Sequence, residues 1–217
     1  MKAKFIKQGD TSLLTLFFAG WGMDANPFAD YVGGRGDLLV LYDYTDLDFD
    51  VSLLSGYDAC RVTAWSMGVW AAACTMPSIG VEFTESIAVA GTTTPVSDGF
   101  GISTAVFKAT LDNMSAKSVE SFRRRMCGGA SAAAKFAEHL PARDVGSLHD
   151  ELRAIGEAAT HTHAAMTWSK AIVTGRDAIF APAAQEAAHR RDGTAEIVTV
   201  EAPHYDDTLL RHVIETV

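Results

Sequence analysis

The 217-residue sequence predicts an α/β fold, a mostly parallel sheet flanked by helices on both faces. Three observations predict it. Leu13 to Ala19, Leu38 to Tyr42 and Cys60 to Ala64 are strand-length, largely apolar runs, as expected of strands buried on both faces. Helical segments alternate with those runs. Residues capable of chemistry collect just after strands, at the carboxyl ends where open parallel sheets hold ligands.

In chain order, a weaker strand is expected over Ala3 to Lys7, then the Leu13 strand, the loop Gly20-Trp21-Gly22-Met23-Asp24 and a short helix around Pro27 to Val32. The cluster Gly33-Gly34-Arg35-Gly36-Asp37 reads as a turn despite its Arg-Gly-Asp triplet. The Leu38 and Cys60 strands follow, then a helix of small residues from Val69 to Thr75 and a strand over Ser86 to Ala90. Strand–helix alternation then stops, and several helices are expected, including Lys117 to Met126, Ser131 to His139 and Leu148 to Ala159. Strands Ala171 to Thr174 and Glu196 to Val200 flank a helix over Ala181 to Arg190, and a last helix runs from about Asp207 to Thr216. The expectation is one domain over 1–217, with a core of about 1–93 and 166–217 and a helical insertion of about 94–165.

Composition narrows the class. Hydrophobic residues at 48% and charged residues at 21% suit a globular chain, and this length fits one substantial core. No apolar run is long enough to span a bilayer, and no h-region or small-residue cleavage site follows the basic residues at 2–7, so a signal peptide is not expected. Cys60, Cys74 and Cys127 are an odd, widely spaced set, which fits buried thiols in a reducing cytoplasm. The net charge of −9 argues against a general nucleic-acid binder. That charge is uneven: residues 1–100 carry 5 basic against 12 acidic side chains, 101–155 carry 8 against 6, and 156–217 carry 5 against 9. A solvated face is the plain explanation of the basic middle segment.

Ala64-Trp65-Ser66-Met67-Gly68 carries the strongest chemical signal. A buried strand, a sharp turn with one serine and a helix of small residues form the nucleophile elbow of an α/β-hydrolase. Gly68 sits where the helix must pass close to the strand, and Ala64 replaces the first glycine of the usual pattern. A serine needs a base, and the base needs an orienting group. His204, between the last strand and the last helix, is the base candidate, with a helix-start histidine as the alternative. Asp177, in the loop after the penultimate strand, is the acid candidate, with a turn or cap aspartate as the alternative. The order Ser66, Asp177, His204 is that of α/β-hydrolases. Asp206 and Asp207 read as helix caps. Met67 N–H and Trp21 N–H are the expected oxyanion donors. Trp21 and Trp65 read as core residues, either of which could wall an acyl channel. His161 and His163 lack a third ligand, so neither a metal nor a cofactor is expected. An insertion between the sixth and seventh strands is where α/β-hydrolases carry a lid, and the helical stretch is assigned that place.

The chain resembles the BioG family. The likeness lies in Phe17-Phe18-Ala19-Gly20-Trp21-Gly22-Met23-Asp24, the elbow Ala64 to Trp70, Pro95 through Gly101-Ile102, Phe107-Lys108-Ala109-Thr110-Leu111 and Phe122-Arg123-Arg124-Arg125-Met126-Cys127-Gly128. It covers nearly the whole chain. Members are pimeloyl-[acyl-carrier protein] methyl ester esterases of biotin synthesis. The resemblance implies attack by Ser66 on the methyl ester, His204 as base and then acid, and Asp177 orienting it. It also implies an acidic acyl carrier protein as partner, so an acidic enzyme needs a local basic patch. Candidate substrate or carrier contacts are Trp21, Phe107, Arg123, Arg124, Arg125, Arg143 and Arg153, in a cytoplasmic monomer. A short-chain carboxylesterase or thioesterase would use the same triad. A hydrolase fold serving only to bind would not need all three residues in order.

Overall fold

The structure is a computed structural model, and it describes all residues except 10, 33, 35, 81, 82, 162, 163, 165 and 217. Gly33 and Arg35 of the expected turn, and His163, lie outside the described residues. A seven-stranded sheet runs through the molecule, made of β1 (Lys2–Lys7), β2 (Leu13–Phe18), β3 (Asp37–Tyr42), β4 (Ala59–Trp65), β5 (Phe83–Val89), β6 (Lys170–Thr174) and β7 (Glu196–Val200). Their order is β1-β3-β2-β4-β5-β6-β7. Only β1 is antiparallel to its neighbour; every other pairing is parallel.

Side chains alternate across a strand, so each apolar run feeds two cores. In β2, Leu14, Leu16 and Phe18 join the core on one face and Phe17 joins the core on the other. The helix after β4, α1 (Met67–Thr75), buries every residue but Cys74, so it packs as a core helix rather than an amphipathic one. Gly68 makes that packing possible: a Cβ there would lie 2.3 Å from the Phe18 carbonyl oxygen. Gly91, after β5, supports the turn from the other side, since a Cβ there would lie 2.2 Å from the Ser66 carbonyl oxygen.

Among the described residues, four α-helices separate β5 from β6: α2 (Thr104–Asp112), α3 (Ala116–Met126), α4 (Ala130–Phe136) and α5 (Val145–Ala159). They fall between the fifth and sixth strands, not the sixth and seventh, because a single strand precedes β2. Ser103, Ser115 and Asp144 cap α2, α3 and α5 by accepting the Val106, Ser118 and Ser147 N–H groups. The expected helix over Ser131 to His139 is α4 followed by one 3-10 turn at Ala137–His139. The helix expected around Pro27 to Val32 is instead the 3-10 turn Asn26–Phe28; Pro27 starts it, and Phe28 and Tyr31 then fold into the core. The chain closes with α6 (Pro182–Arg191), β7 and α7 (Asp207–Glu215). Asp206 caps α7 through the Leu209 N–H, while Asp207 accepts from the Tyr31 hydroxyl.

Candidate active site

The loops leaving β2, β4, β6 and β7 meet at one end of the sheet, and each brings a residue that the sequence singles out. Ser66 stands at the head of α1 with φ 60° and ψ −127°. Positive φ is costly for a residue with a Cβ, about 1–3 kcal/mol. Ser66 holds the N-cap position of α1, yet its hydroxyl makes no cap hydrogen bond. It lies instead 2.9 Å from His204 Nε2.

His204 Nδ1 lies 2.8 Å from Asp177 Oδ2. That carboxylate is surrounded by donors. Oδ1 accepts the Ile179 and Phe180 N–H groups at 2.8 Å each. Oδ2 accepts the Thr174 hydroxyl and Gln185 Nε2 at 2.9 Å each, as well as His204. Four donors besides the imidazole already occupy those two oxygens, which suits an acceptor-only carboxylate, so Nδ1 carries the imidazole proton and Nε2 is left to accept from Ser66. The turn role anticipated as an alternative for Asp177 is therefore real and coexists with the contact to His204. The imidazole is also held from its faces. Phe180 stacks on it at 5.9 Å between centroids and 8° between planes, and the Trp65 ring lies 5.3 Å away. Trp65 Nε1 donates to the His204 carbonyl at 2.8 Å, so this tryptophan anchors the histidine loop besides filling core.

Two amides border Ser66. Met67 N–H opens α1 and so has no intrahelical acceptor. Trp21 N–H, in the loop after β2, donates to no acceptor among the described residues. That loop lies against the elbow, since a Cβ on Gly20 would fall 3.1 Å from Ser66 Cβ. The cleft above Ser66 and His204 is mostly apolar, lined by Trp21, Met67, Ile102, Phe107, Phe122 and Leu152 with Arg125 at its edge. Phe122 packs edge-on against Trp21 at 5.1 Å. A second groove continues outward between α2 and α3 and shares Trp21, Val106, Thr110, Phe122 and Arg125 with the first.

The arginines divide. Arg124 and Arg125 are exposed and, with Lys117, edge a shallow basic depression on α3, while Arg123 is half-buried. Arg153 is exposed and pairs with Asp150 at 3.2 Å. Arg143 corrects the expectation of a docking contact. Its side chain is 6% exposed and committed to Glu151 at 2.9 Å and Asp43 at 3.3 Å, so it has no surface to offer a partner.

Sequence reading missed Gln185, Glu151 and Gly91. Gln185 resembles any polar residue of a solvated helix, and Glu151 any acid of an amphipathic one; only the fold buries them completely. Burial pushes the Cys127 thiol up to about 11 and Cys74 up to about 12, so neither competes as a nucleophile at neutral pH. Among the described residues no group of three His, Cys, Asp or Glu side chains could hold a metal ion, and no helix is long and apolar enough to cross a membrane.

Comparison with known proteins shows the family. Residues 1–213 match the family described as pimeloyl-ACP methyl esterase BioG. A Bacteroides fragilis protein named malonyl-[acyl-carrier protein] O-methyltransferase is 44% identical over 197 residues, which cover 90% of this chain and 40% of that protein. The chain thus spans about two fifths of that relative's length. A crystal structure of BioG from Haemophilus influenzae superposes with a TM-score of 0.86 at 35% identity, covering 96% of each chain. A lipase-esterase related protein from Clostridium acetobutylicum gives a TM-score of 0.63 at 11% identity over 98% of this chain and 93% of that one, and shows the shared α/β-hydrolase fold alone. With nearly its full length matched, the chain belongs to the BioG family of pimeloyl-ACP methyl esterases.

Proposed function

We propose that this chain hydrolyses the methyl ester of a pimeloyl group carried on acyl carrier protein, releasing methanol and pimeloyl-carrier protein for biotin synthesis. The observation that carries the proposal is the Ser66–His204–Asp177 hydrogen-bond relay, at 2.9 and 2.8 Å, beneath an apolar cleft in a chain of this family. His204 Nε2 takes the hydroxyl proton as Ser66 Oγ attacks the ester carbonyl. The oxyanion that forms accepts from Met67 N–H and Trp21 N–H. Collapse breaks the acyl carbon–oxygen bond, and methanol leaves with the proton from His204. Water then attacks the acyl-serine, giving a proton to His204, and Ser66 regains it as the carboxylate departs. Asp177 stays ionised throughout and fixes the imidazole tautomer.

The helices α2 to α5 serve as a lid, and the acyl chain runs past Trp21, Phe107 and Phe122 into the outer groove. Its thioester end then emerges near Arg125, beside the basic depression that Lys117 and Arg124 help to form. A carrier protein rich in acidic residues meets opposite charge there, on a chain otherwise dominated by acid.

Intact-mass measurement of pimeloyl-carrier-protein methyl ester, incubated with wild type and with Ser66→Ala, tests the reading. Loss of one methylene's mass with wild type alone is the expected result. Cleavage of p-nitrophenyl esters by wild type, with the carrier-protein ester left intact, would keep the triad and remove the substrate.

A further inference from the structure

A buried charged cluster outside the Ser66 relay lies where α5 meets the loops after β2 and β3. Glu151, on α5, is fully buried. Its Oε2 accepts the Gly22 N–H at 3.1 Å and Arg143 Nη1 at 2.9 Å, and its Oε1 accepts the Tyr44 N–H at 3.0 Å. Arg143 also donates to the Met23 and Ser147 carbonyls, each at 3.2 Å, and pairs with Asp43. Lys2 closes the far side of Asp43 at 2.8 Å. One turn before Glu151, the Leu148 carbonyl accepts the Trp21 indole N–H at 2.9 Å. Helix α5 therefore holds Trp21 by its ring and the next residue by its amide. The backbone N–H of Trp21 itself is left without an acceptor among the described residues.

We propose that Glu151, clamped by Arg143, is a positioning residue that fixes the Trp21–Gly22 segment and so aims the Trp21 N–H at the oxyanion. The proposal rests on the reading above, in which Trp21 is one of the two oxyanion donors. A helix of the insertion thereby sets half of the oxyanion hole from behind, without touching substrate.

The clamp needs an ionised carboxylate. A protonated Glu151 loses the charge that binds Arg143 and carries an O–H toward neighbours (two amides and a guanidinium) that are all donors, so protonation weakens the clamp. Burial pushes Glu151 up to about 7, with Arg143 and the two amides pulling down and Asp43 pushing up. Arg143, Asp43 and Tyr44 are the charged or titratable groups that face it, with Lys2 behind Asp43. The clamp is accordingly complete on the alkaline side of that value and loosens as pH falls through it.

Kinetics against p-nitrophenyl butyrate and the carrier-protein methyl ester, with amide resonances of the wild type followed by NMR, test this. Glu151→Gln is expected to lower kcat about tenfold to a hundredfold with KM nearly unchanged. Arg143→Gln removes the cation that favours the carboxylate, and should move the acid limb of kcat to higher pH. The wild-type Gly22 amide should titrate together with that limb, a readout available even if neither variant folds. A Gly22 amide that stays flat across the limb, or a folded Arg143→Gln with an unmoved limb, would overturn the proposal while leaving Ser66-dependent turnover intact. A wild type without Ser66-dependent turnover on either substrate would remove the proposal together with the reading beneath it.

Discussion

Asp177 holds His204 in one tautomer while four other donors hold Asp177 in place, so its replacement should cost more than a single contact. Asp177→Asn presents an amide to those donors and frees the imidazole to choose the other tautomer. A fall in kcat of about ten-thousandfold is expected from steady-state kinetics, with a lowered melting temperature because the amide opposes backbone donors at one oxygen position. Gln185 gives a finer test. Its Nε2 donates to Asp177 and to the Phe180 carbonyl, but its buried Oε1 has no partner among the described residues. Gln185→Leu loses a donor to a charged group, worth about 1.5–3 kcal/mol, and the donor to the Phe180 carbonyl, worth about 0.5–1.5 kcal/mol, while it removes an unpaired acceptor that costs about 1–3 kcal/mol. Calorimetry should therefore find a small net loss of stability, about 1 kcal/mol, while kcat drops several-fold as His204 loosens. Ser66, His204 and Asp177 were all legible in the sequence, because each sits next to a strand end that its own neighbours mark. Gln185 and Glu151 were not, since their roles depend on partners far away in the chain, and nothing local separates them from surface residues.

The elements were legible to different depths for similar reasons. Apolar runs identified all seven strands, and Glu196–Val200 was delimited without error. Helix α2 went unassigned although Ser103 caps it, because its only buried residue is Phe107 and its apolar stripe is narrow. The elbow is where element packing and chemistry meet. Its strained serine is held by α1 on one side and by the turn after β5 on the other. Gly68 was read correctly as a close approach, whereas Gly91 carries no sequence mark: it lies in a polar turn, Gly91-Thr92-Thr93-Thr94, like many others. His189 Nε2 lies 3.0 Å from the Gly91 carbonyl oxygen and ties that turn to α6. Gly91→Ala would drive a methyl group into the Ser66 backbone and should cost about 2–3 kcal/mol or more, together with most of the activity. Gly99→Ala meets nothing within 4 Å and should leave both melting temperature and kcat as they are. Similar behaviour of the two variants in thermal unfolding would contradict the packing described for the elbow.

Over the whole molecule, the charge distribution and the cleft make one path. The chain carries −9 overall, yet Lys117, Arg124 and Arg125 gather on the α3 face where the outer groove opens. A carrier protein steered there should associate more slowly as salt rises, because exposed charges are screened beyond about 8–10 Å at ordinary ionic strength. Arg124→Glu is expected to lower kcat/KM for the carrier-protein ester about tenfold at low salt, and to leave p-nitrophenyl butyrate turnover unchanged. Counting basic residues found this segment, but the count could not separate Arg124 from Arg143: one lies on the surface and the other inside an ion-pair network. Acyl transfer at Ser66, as proposed, breaks the bond between acyl carbon and methoxy oxygen, and turnover of the carrier-protein methyl ester in heavy-oxygen water reports which bond breaks. Heavy oxygen is expected in the new carboxylate and none in methanol; heavy oxygen in methanol would mean cleavage at the methyl carbon and would rule out an acyl-serine.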